Sequence, residues 1–313
     1  MKVYHSISDY VGTMESVVTI GMFDGVHIGH QKVIGRCVEL AKSHQIQSVV
    51  ITFSNHPASY FHPHSDVGLL TPENLKIELI KSLHVDVLFF IPFDAFIANI
   101  TANDFVTQIL LKQLNCHSFV LGYDNRFGFN REGSLSFVNE KFQEFINTYE
   151  IEAEVLNDLV ISSSQIKQFL SDGNVDLANQ MLGRNYCLNG IVVKGKQLGR
   201  TINFPTANLK LEQEKQYLIG VGVYLTEIQI DENHYFGLTN VGYRPTVDHS
   251  NEMNVETFIF DFDKSIYGVS ISLNFISKCR NEVKFKDFEA LKNQIYQDVK
   301  WAKKELAKIH ITS

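Results

Sequence analysis

One stretch near the N-terminus, residues 17 to 44, restricts the fold more than any other part of this sequence. It begins with the β-branched run Val17 to Ile20, which predicts a buried strand, and it ends with apolar residues at helical spacing. Between these two parts, Gly21, Gly25 and Gly29 permit sharp turns and the close approach of a ligand to the backbone. A strand that leads through such a turn into a helix N-terminus is an anion site, because the free N–H groups and the helix dipole favour negative charge.

Two histidines stand at the mouth of this predicted anion site. His27 and His30 are three residues apart, and the helical pattern is predicted to start at Gln31. Imidazoles suit a phosphate that gains charge during a reaction, because each ring can donate a hydrogen bond or carry a proton near neutral pH. The alternative is a pair of surface histidines on an ordinary turn. The stretch lacks the Lys-Ser/Thr ending of a P-loop and the three glycines of a dinucleotide fingerprint, so a different phosphate site is predicted.

The eight residues from Phe23 to His30 resemble the His-x-Gly-His signature of nucleotidyltransferases, and they are most similar to the FMN adenylyltransferase branch. Enzymes of this class move a nucleotidyl group from a nucleoside triphosphate to a phosphate or an alcohol. The resemblance implies that His27 and His30 are catalytic. It also implies a nucleotide-binding role for the residues around them, namely Gly21, Phe23, Asp24, Gly25 and Gly29.

Length and composition set the class of protein. The chain has 313 residues, enough for two domains, and its 44% hydrophobic and 20% charged residues are typical of a soluble globular protein. A formal net charge of −7 argues against nucleic-acid binding and against binding to anionic membranes. The four cysteines are far apart without metal-site spacing, and no run resembles a signal peptide or a membrane span. A cytoplasmic protein is therefore expected.

The first half of the chain alternates predicted strands and helices. Strands are predicted at residues 48–53, 85–91, 118–121 and 151–156, with helices starting at Thr71 and Thr101 and a further helix over 134–149. This alternation predicts a doubly wound parallel sheet with right-handed crossovers. In such sheets ligands bind beyond the carboxyl ends of the strands, so the turns at those ends are the places to inspect.

Two further turns follow predicted strands of this sheet. Asn55 and His56 follow the second strand, and His56 faces the predicted cleft. The other turn, between Gly122 and Gly128, combines Asp124 and Arg126: Arg126 suits a phosphate and Asp124 suits a ribose hydroxyl. The alternative for this second turn is a polar loop with a local Asp–Arg pair. The remaining loop histidines, His62 and His64, show no closed set of metal ligands and are interpreted as exposed.

The run Ser162 to Lys167 precedes a predicted short helix. A serine run at this place can cap the helix and can also contact an anion through hydroxyl and N–H groups. Capping alone explains the run equally well. The nucleotide-binding residues predicted in this run are Ser163, Ser164 and Lys167.

The character of the sequence changes after Gly183. Short β-branched and aromatic segments separated by Gly, Asn and Asp predict an antiparallel sheet closed as a small barrel. A final helix is predicted over 287–307, with apolar residues on one face. We therefore predict a nucleotidyltransferase-like domain over 1–183, including a short helical connection, and a β-barrel domain over 184–313.

A second motif lies in the predicted barrel. The cationic loop Lys194 to Arg200 is followed by Pro205-Thr206-Ala207-Asn208. In an extended segment Thr206 and Asn208 share one side, and their hard oxygens suit Mg²⁺, which completes its shell with phosphates and water. Taken alone, this tetrapeptide would more often be a turn.

The Pro-Thr-Ala-Asn block resembles the signature of riboflavin kinases, and the segments 240–246 and 255–257 resemble the blocks that follow it in that family. The resemblance implies that Thr206 and Asn208 hold magnesium and the ATP phosphates. It implies that Glu256 is the general base for the riboflavin 5′-hydroxyl, whereas the alternative is a structural carboxylate on a strand. The other kinase residues implied to bind nucleotide or flavin are Gly195, Gly199, Arg200, Asn240 and Arg244.

Both signature sets occur in the order of the bifunctional riboflavin kinase/FMN adenylyltransferase family. The resemblance implies phosphorylation of riboflavin to FMN and adenylylation of FMN to FAD, with ATP as cosubstrate, Mg²⁺ as cofactor and pyrophosphate released. The alternatives are a chain that keeps one activity, adenylyl transfer being favoured, and a non-catalytic regulator that binds flavin or nucleotide. Small molecules are the expected partners, without nucleic acid or membrane, and the oligomeric state is left open.

Several positions depart from the pattern of the resembled family. Asn55 stands where proline is usual, and Asn203 stands where glycine is usual before Phe204. Lys167 replaces the usual arginine, which exchanges a bidentate fork for a point charge. In the basic loop, Lys194, Gln197 and Leu198 stand at positions where His, Lys and Arg are common. Together with Asn203, these changes before the kinase motif make the kinase the activity that is more exposed to loss.

Overall fold

The strand predicted at Val17 is the centre of a six-stranded parallel sheet. The computed structural model describes residues 1–62, 68–195, 204–212, 216–244 and 252–312, with the backbone alone at 244, 252 and 309–312. It contains two compact units, Met1–Ser163 and Ser164–Ser313, which we describe separately. The sheet of the first unit runs in the order β1-β4-β3-β2-β5-β6, with β1 (Lys2–Tyr4), β2 (Ser16–Ile20), β3 (Gln47–Phe53), β4 (Val87–Ile91), β5 (Cys116–Gly122) and β6 (Asn147–Ile151).

Helices cover both faces of this sheet. Successive residues of β2 pack into two different apolar clusters. Val18 and Ile20 belong to one cluster and Val17 belongs to the other, as expected for a strand buried on both faces. The predicted doubly wound parallel sheet is therefore confirmed. The helices are α1 (Ile28–His44), α2 (Pro57–Phe61), α3 (Glu73–Ser82), α4 (Ala95–Asn99), α5 (Ala102–Asp104), which continues as a π-helix over Phe105–Gln113, and α6 (Leu135–Phe142); β7 (Val155–Leu156) and β8 (Leu159–Val160) form a small hairpin.

Some predicted limits within this unit are wrong. α1 begins at Ile28 instead of Gln31, because the backbone already turns helical after His27. The predicted helix over 134–149 ends at Phe142, and the strand predicted at 151–156 lies at Asn147–Ile151, where it pairs with β5. The apolar residues after Phe142 continue a helical spacing, but the N–H groups of Phe145 and Ile146 both bond to the carbonyl of Phe142 and close the helix.

The second unit is the predicted antiparallel barrel, closed in the order β10-β13-β12-β11-β14-β9. Buried hydroxyl groups link neighbouring strands: Thr239 lies 2.8 Å from Thr226 and 3.0 Å from Thr257, oxygen to oxygen. Because side chains alternate along a strand, the neighbours of Thr257 face the opposite side of the barrel wall. The strands are β9 (Tyr186–Val193), β10 (Thr206–Leu211), β11 (Gly222–Ile230), β12 (Asn233–Arg244), β13 (Glu252–Ile259) and β14 (Ser270–Arg280), followed by helix α9 (Phe288–Thr312).

Two short helices, α7 (Ser163–Ser171) and α8 (Val175–Leu182), lie against the barrel. The Asn179 amide nitrogen donates to the carbonyl of Phe275 at 2.8 Å, and its oxygen accepts from the N–H of Tyr186 at 2.7 Å. The first domain was predicted to include this connection up to 183, whereas the compact units divide between Ser163 and Ser164, and Asn179 of α8 bonds to β9 and β14. Among the described residues, no helix combines the length and the apolar character that a membrane span requires.

Candidate active sites

The turn between β2 and α1 is conformationally strained. Phe23 has φ 46° and Val26 has φ 39°, and Gly25 between them has φ 89°. Side-chain-bearing residues rarely adopt the left-handed region, least of all a β-branched valine, and each instance costs about 1–3 kcal/mol. Both Phe23 and Val26 are buried, so packing holds the turn in this form. The strain lies in the stretch that the sequence singled out as a phosphate site.

The two histidines of the motif lie at the first turn of α1. His27 caps the helix: its Nδ1 accepts the backbone N–H of His30 at 3.3 Å, so a neutral His27 ring carries its proton on Nε2. The rings of His27 and His30 are stacked, with centroids 3.5 Å apart and planes 19° apart. The ring of Phe23 meets that of His30 edge to face at 5.2 Å. The structure therefore brings these three rings together at the start of α1.

His30 is kept uncharged. Burial is the main cause that holds the pKa of His30 well below its usual range, and the charges of His27 and Lys76 lower it further. Among the described residues, no group hydrogen-bonds to the buried Nδ1 of His30. A buried nitrogen in this state is a place where a ligand can complete the hydrogen bonding.

Hydrogen bonds of Asp24 anchor the strained turn to neighbouring segments of the chain. Asp24 is 3% exposed, and one of its carboxylate oxygens accepts the backbone N–H groups of Leu70 at 2.8 Å and Thr71 at 3.2 Å. Its backbone carbonyl accepts the hydroxyl of Ser163 at 2.8 Å. Asp24 and Ser163, both predicted to bind nucleotide, therefore also hold the turn in place.

Lys76 is a component of this region that the sequence analysis missed. It is 1% exposed, and its ammonium donates to the carbonyl oxygens of Met22 at 3.1 Å and Phe53 at 3.2 Å. Lys76 lies four residues before the fully buried Ile80 on α3, a spacing that places both on one helix face. That spacing was the available signal, but a lysine on a helix is ordinarily exposed.

The turn after β3 is tied to the neighbouring strand. The amide of Asn55 donates to the carbonyl of Phe93 at 3.1 Å and accepts the N–H of Phe93 at 2.7 Å. His56 caps α2 by accepting the N–H of Ala58 at 3.1 Å. Among the described residues no group of three or more His, Cys, Asp or Glu is placed to hold a metal ion, and His64 lies outside them.

The third turn, after β5, is more open than the first. Asp124 and Arg126 are exposed, and the amide of Asn125 donates to the carbonyl of Ile20 at the end of β2. The arginine guanidinium donates to the carbonyl of Asn125 at 2.9 Å. Beside this turn is a cavity of about 310 Å³ with mostly polar walls, formed by Gly122, Asn125, Arg126, Ser134, Leu135, Ser136, Asn139, Thr148 and Glu150.

Ser164 and Lys167 belong to the second compact unit. Within that unit, the ammonium of Lys167 lies 5.7 Å from the centroid of the Tyr217 ring, a cation–π arrangement.

In the barrel, Glu256 stands between two amide side chains in strand register. On β13 it pairs with Asn208 of β10 on one side and with Asn240 of β12 on the other. Asn254 donates its amide N–H to a Glu256 carboxylate oxygen at 2.8 Å. Because side chains alternate along β10, Thr206 shares the face of Asn208. The barrel thus brings the four predicted polar residues of the kinase motif to one side of its wall.

A cavity of about 350 Å³ opens at this wall. Thr206, Asn240 and Glu256 supply polar groups on one side. The rest of the wall is largely apolar, which suits a planar ring system. Its apolar members include Phe204, Val223, Leu238, Phe258, Val283, Phe285, Phe288, Leu291 and Ile295.

Three charged residues beside this cavity were missed by the sequence analysis. The guanidinium of Arg280 bonds to both carboxylate oxygens of Asp298, from Nε at 3.0 and 2.9 Å, and thereby joins β14 to α9. Asp298 is 4% exposed, and Glu282 lies 3.5 Å from the amide nitrogen of Asn240. Arg280 is the last residue of β14, and Glu282 follows it two residues later. The sequence offers no signal that pairs Arg280 with Asp298 on a distant helix.

The glycine-bearing loop before β10 is described only at its start. At Gly195 an added Cβ would lie 2.3 Å from the amide nitrogen of Asn208, so only glycine leaves room for that side chain. The predicted Gly199 and Arg200, together with the departure at Asn203, lie outside the described residues. Arg244 ends β12, and its backbone pairs with residue 252.

Comparisons with known proteins agree with the two-unit architecture. A family model described as FAD synthetase matches residues 12–165, and one described as riboflavin kinase matches residues 182–306. A bifunctional riboflavin kinase/FMN adenylyltransferase from Buchnera aphidicola is 34% identical over 289 residues, which cover 91% of each chain. The Bacillus subtilis protein of the same name is 34% identical over 288 residues, covering 91% of this chain and 90% of that protein.

A solved structure also matches nearly the whole chain. It is titled a macrolide-efflux protein from Streptococcus pneumoniae, is 28% identical, and aligns with a TM-score of 0.88 over 96% of this chain and 98% of that one. The relatives and the two family models confirm the family that the motifs resembled and its two enzyme domains. The chain belongs to the bifunctional riboflavin kinase/FMN adenylyltransferase family.

Proposed function

We propose that the barrel unit phosphorylates riboflavin to FMN with ATP and that the sheet unit adenylylates FMN to FAD with release of pyrophosphate. The observation that carries this proposal is that each matched region holds its own set of chemically suited side chains. The sheet unit has two stacked histidines at a helix N-terminus, and the barrel unit has a carboxylate at an apolar cavity. Each proposed reaction therefore has a separate place.

In the kinase reaction, Glu256 is the general base. It accepts the proton of the riboflavin 5′-hydroxyl as that oxygen attacks the γ-phosphorus of ATP, and the bond to the ADP oxygen breaks. Asn254, which donates to the carboxylate at 2.8 Å, fixes its orientation. The apolar walls of the cavity favour the flavin ring over water, and Asn240 offers a polar contact at its edge.

The residues of β10 fit Mg²⁺. Thr206 and Asn208 offer a hydroxyl and an amide oxygen on one face of the strand, which are hard ligands of the type that Mg²⁺ prefers. We propose that these two residues would hold the ion. When bound, Mg²⁺ would offset charge on the ATP phosphates. Gly195 supports this arrangement because it leaves space for the Asn208 amide.

In the adenylyltransferase reaction, a phosphate oxygen of FMN attacks the α-phosphorus of ATP, and the bond to pyrophosphate breaks. The nucleophile is already anionic, so the site has no need of a protein nucleophile or base. The Nε2–H of His27, the neutral ring of His30 and the N–H groups of α1 stabilise the charge that develops on phosphate oxygens. Gly21, Gly25 and Gly29 allow the nucleotide to approach the backbone.

The turns after β3 and β5 are proposed to complete the nucleotide and flavin contacts. His56 and Arg126 offer donors for phosphate, and Asp124 an acceptor for a ribose hydroxyl. Three aromatic rings near Asn55 offer a surface for the flavin: Phe93 lies 5.8 Å from Tyr60 and 6.0 Å from Phe61, between centroids. Ser164 and Lys167, and for the kinase reaction Gly199, Arg200 and Arg244, are proposed as further ligand contacts by family resemblance.

The family departures do not argue for loss of an activity in the sheet unit. Asn55 makes two hydrogen bonds to Phe93, so it has a structural use of its own in place of the usual proline. A chain with one activity and a non-catalytic regulator stay the competing functions. A regulator has no need of the base and the metal ligands, and the chain keeps Glu256, Thr206 and Asn208.

We also propose a cytoplasmic enzyme whose partners are small molecules. The four cysteines are free thiols in the described structure, which is typical of a reducing compartment. The net charge of −7 is unfavourable for nucleic-acid binding.

The test incubates the purified protein with ATP and Mg²⁺, adding riboflavin in one sample and FMN in another, and resolves the flavins. FMN and FAD from riboflavin, together with FAD from FMN, support the proposal. FAD from FMN without any conversion of riboflavin indicates a chain with one activity. No conversion in either sample indicates a regulator.

A further inference from the structure

Helix α3 carries one lysine into the apolar core of the sheet unit. Lys76 is 1% exposed, and its ammonium lies 5.6 Å from the centroid of the Phe90 ring. Placing an ammonium where water is excluded is costly unless hydrogen bonds compensate it, and lysine is almost never fully buried without such partners. The buried ammonium of Lys76 is therefore expected to have a specific role.

The ammonium joins the ends of two adjacent strands. It donates to the carbonyl of Met22, two residues beyond β2, at 3.1 Å, and to that of Phe53, the last residue of β3, at 3.2 Å. The hydroxyl of Thr52 donates to the same Met22 carbonyl at 2.9 Å. These carbonyls lie immediately before the turns that carry His27 and His30 on one side and Asn55 and His56 on the other. Lys76 thus fixes both turns through their backbone.

The turn that Lys76 holds is the strained one. Phe23, with φ of 46°, follows Met22 directly in the chain, and Val26, with φ of 39°, lies four residues after Met22. The segment leading into α3 also anchors this turn, because the N–H groups of Leu70 and Thr71 bond to Asp24. The strained backbone is therefore fastened on both sides to one stretch of chain, and Lys76 contributes a positive charge to this contact.

The charge of Lys76 also acts on the catalytic pair. The groups that face His30 are the ring of His27 on α1, the ring of Phe23 in the turn and the ammonium on α3. After burial, the charges of His27 and Lys76 are the causes that lower the pKa of His30. A nearby cation therefore favours the uncharged imidazole, which keeps a lone pair and one N–H.

We propose that Lys76 is a positioning residue of the adenylyltransferase site: its buried ammonium holds the Met22 and Phe53 carbonyls, and through them the turn that presents His27 and His30 to the nucleotide. The inference rests on the proposed adenylyl transfer at this site. Lys76 does not touch the reacting phosphates in this account. It acts on the rate through the backbone and through the charge state of His30.

The experiment compares Lys76→Met with Lys81→Met in the full chain. Methionine keeps the length of the side chain without the charge or the hydrogen bonds. Lys81 lies on the same helix but is exposed and paired with Glu78. Each protein is assayed for FAD formation from FMN and ATP, and the titration of His30 is followed by NMR of its imidazole.

For Lys76→Met we expect the kcat of FAD formation to fall at least about tenfold, with a smaller change in KM, because misplaced catalytic groups slow the chemical step. We also expect the pKa of His30 to rise, since a charge that opposes its protonation is gone. Lys81→Met retains the kcat and the pKa of the unmodified protein. Lys76→Arg, which keeps the charge, recovers most of the low pKa.

A Lys76→Met protein with the kcat of the unmodified protein overturns the inference. A loss of kcat with an unmoved His30 titration also overturns it, because Lys76 then supports only the fold. If Lys76→Met does not fold, Lys76→Gln decides through the His30 titration. Its amide can still bond to a carbonyl but carries no charge, so the pKa of His30 must rise, and an unmoved titration overturns the inference. An unmodified protein that makes no FAD contradicts the proposed function instead, and the His30 titrations of the same samples still report on Lys76.

Discussion

The two sites of this chain manage charge in opposite ways. In the sheet unit the groups are backbone N–H donors at a helix N-terminus and two stacked histidines, of which His30 has a pKa well below its usual range because of burial. In the barrel unit a carboxylate, Glu256, stands in register between Asn208 and Asn240. The proposed nucleophiles explain the difference. An alcohol must lose a proton to attack phosphorus, whereas a phosphate is already an anion, so a base is present only where the nucleophile needs one.

The two sites also differ in how the fold builds them. The histidine site is local: one strand, one strained turn and the first turn of α1 lie within a short stretch of sequence. The carboxylate site depends on pairing between three strands and on α9, which lies far along the chain. Local sites are readable from sequence, and sites made by strand register are readable only through a motif.

The largest expected effect comes from removing the proposed general base, which is present in the barrel site alone of the two proposed sites. Glu256→Gln removes the proton acceptor but keeps the shape and the hydrogen bond to Asn254, so FMN formation from riboflavin should fall by about 10²–10⁴-fold. FAD formation from FMN should be unchanged. The control is Glu227→Gln, a barrel carboxylate outside the cavity that contacts His234 at 3.0 Å. Equal loss of both activities, or none, would break the contrast between the sites.

The second effect tests the site that lacks a base. His30→Ala removes a donor aimed at developing phosphate charge, and FAD formation should fall by about 10²–10³-fold while riboflavin phosphorylation continues. His44→Ala, an exposed histidine in the last turn of the same helix, is the control. Separate initial-rate assays with FMN and with riboflavin make the measurement. Unimpaired FAD formation by a folded His30→Ala protein would remove His30 from the site.

A third prediction sharpens the role of strand register in the barrel. In Gly195→Ala the new Cβ would lie 2.3 Å from the Asn208 amide nitrogen, so that side chain must move. We expect the kcat of FMN formation to fall of the order of tenfold, because the proposed ligand is displaced from its position. Gly35→Ala, where an added Cβ meets nothing within 4 Å, should leave both rates unchanged. An unaltered kinase in Gly195→Ala would show that Asn208 has no part in the reaction.

The smallest effect concerns pH and stability. The pKa of His30 is lowered in the folded protein and returns to about 6.5 on unfolding, so between these two values the unfolded chain binds more protons. The free energy of unfolding should therefore be fully retained above pH 6.5 and fall below it, by up to about 1.4 kcal/mol per pH unit for one proton. Denaturant unfolding at pH 7.5 and 5.5 measures this loss. In His30→Gln the loss should be smaller, and an identical loss would assign it to other groups.

The sequence predicts the strands better than their limits. The β-branched runs at Val17 and at 48–53 and the spacing of the barrel segments predict both architectures, because buried strands need continuous or alternating apolar residues. The strand at Asn147 was placed too late, since Phe142, Phe145 and Ile146 keep a helical spacing beyond the end of α6. The short edge strand at Lys2–Tyr4 was not predicted because three residues carry little periodicity.

The sites are predictable to the level of motifs and no further. The sequence places His27 and His30 at a helix start, and Thr206 and Asn208 on one face of a strand. It does not reveal Lys76 under the strained turn or the bond between Arg280 and Asp298, because both depend on which distant elements the tertiary fold brings together. Those contacts depend on how distant elements pack together, and the spacing of residues within one segment does not predict this packing.

The most direct test of two separate sites follows which phosphorus of ATP reaches the flavin. Riboflavin with γ-labelled ATP should give labelled FMN, and FMN with α-labelled ATP should give labelled FAD. We predict that Glu256→Gln loses only the transfer of the γ label and that His30→Ala loses only the transfer of the α label. If either folded variant loses both transfers together, one site performs both reactions and the account is contradicted.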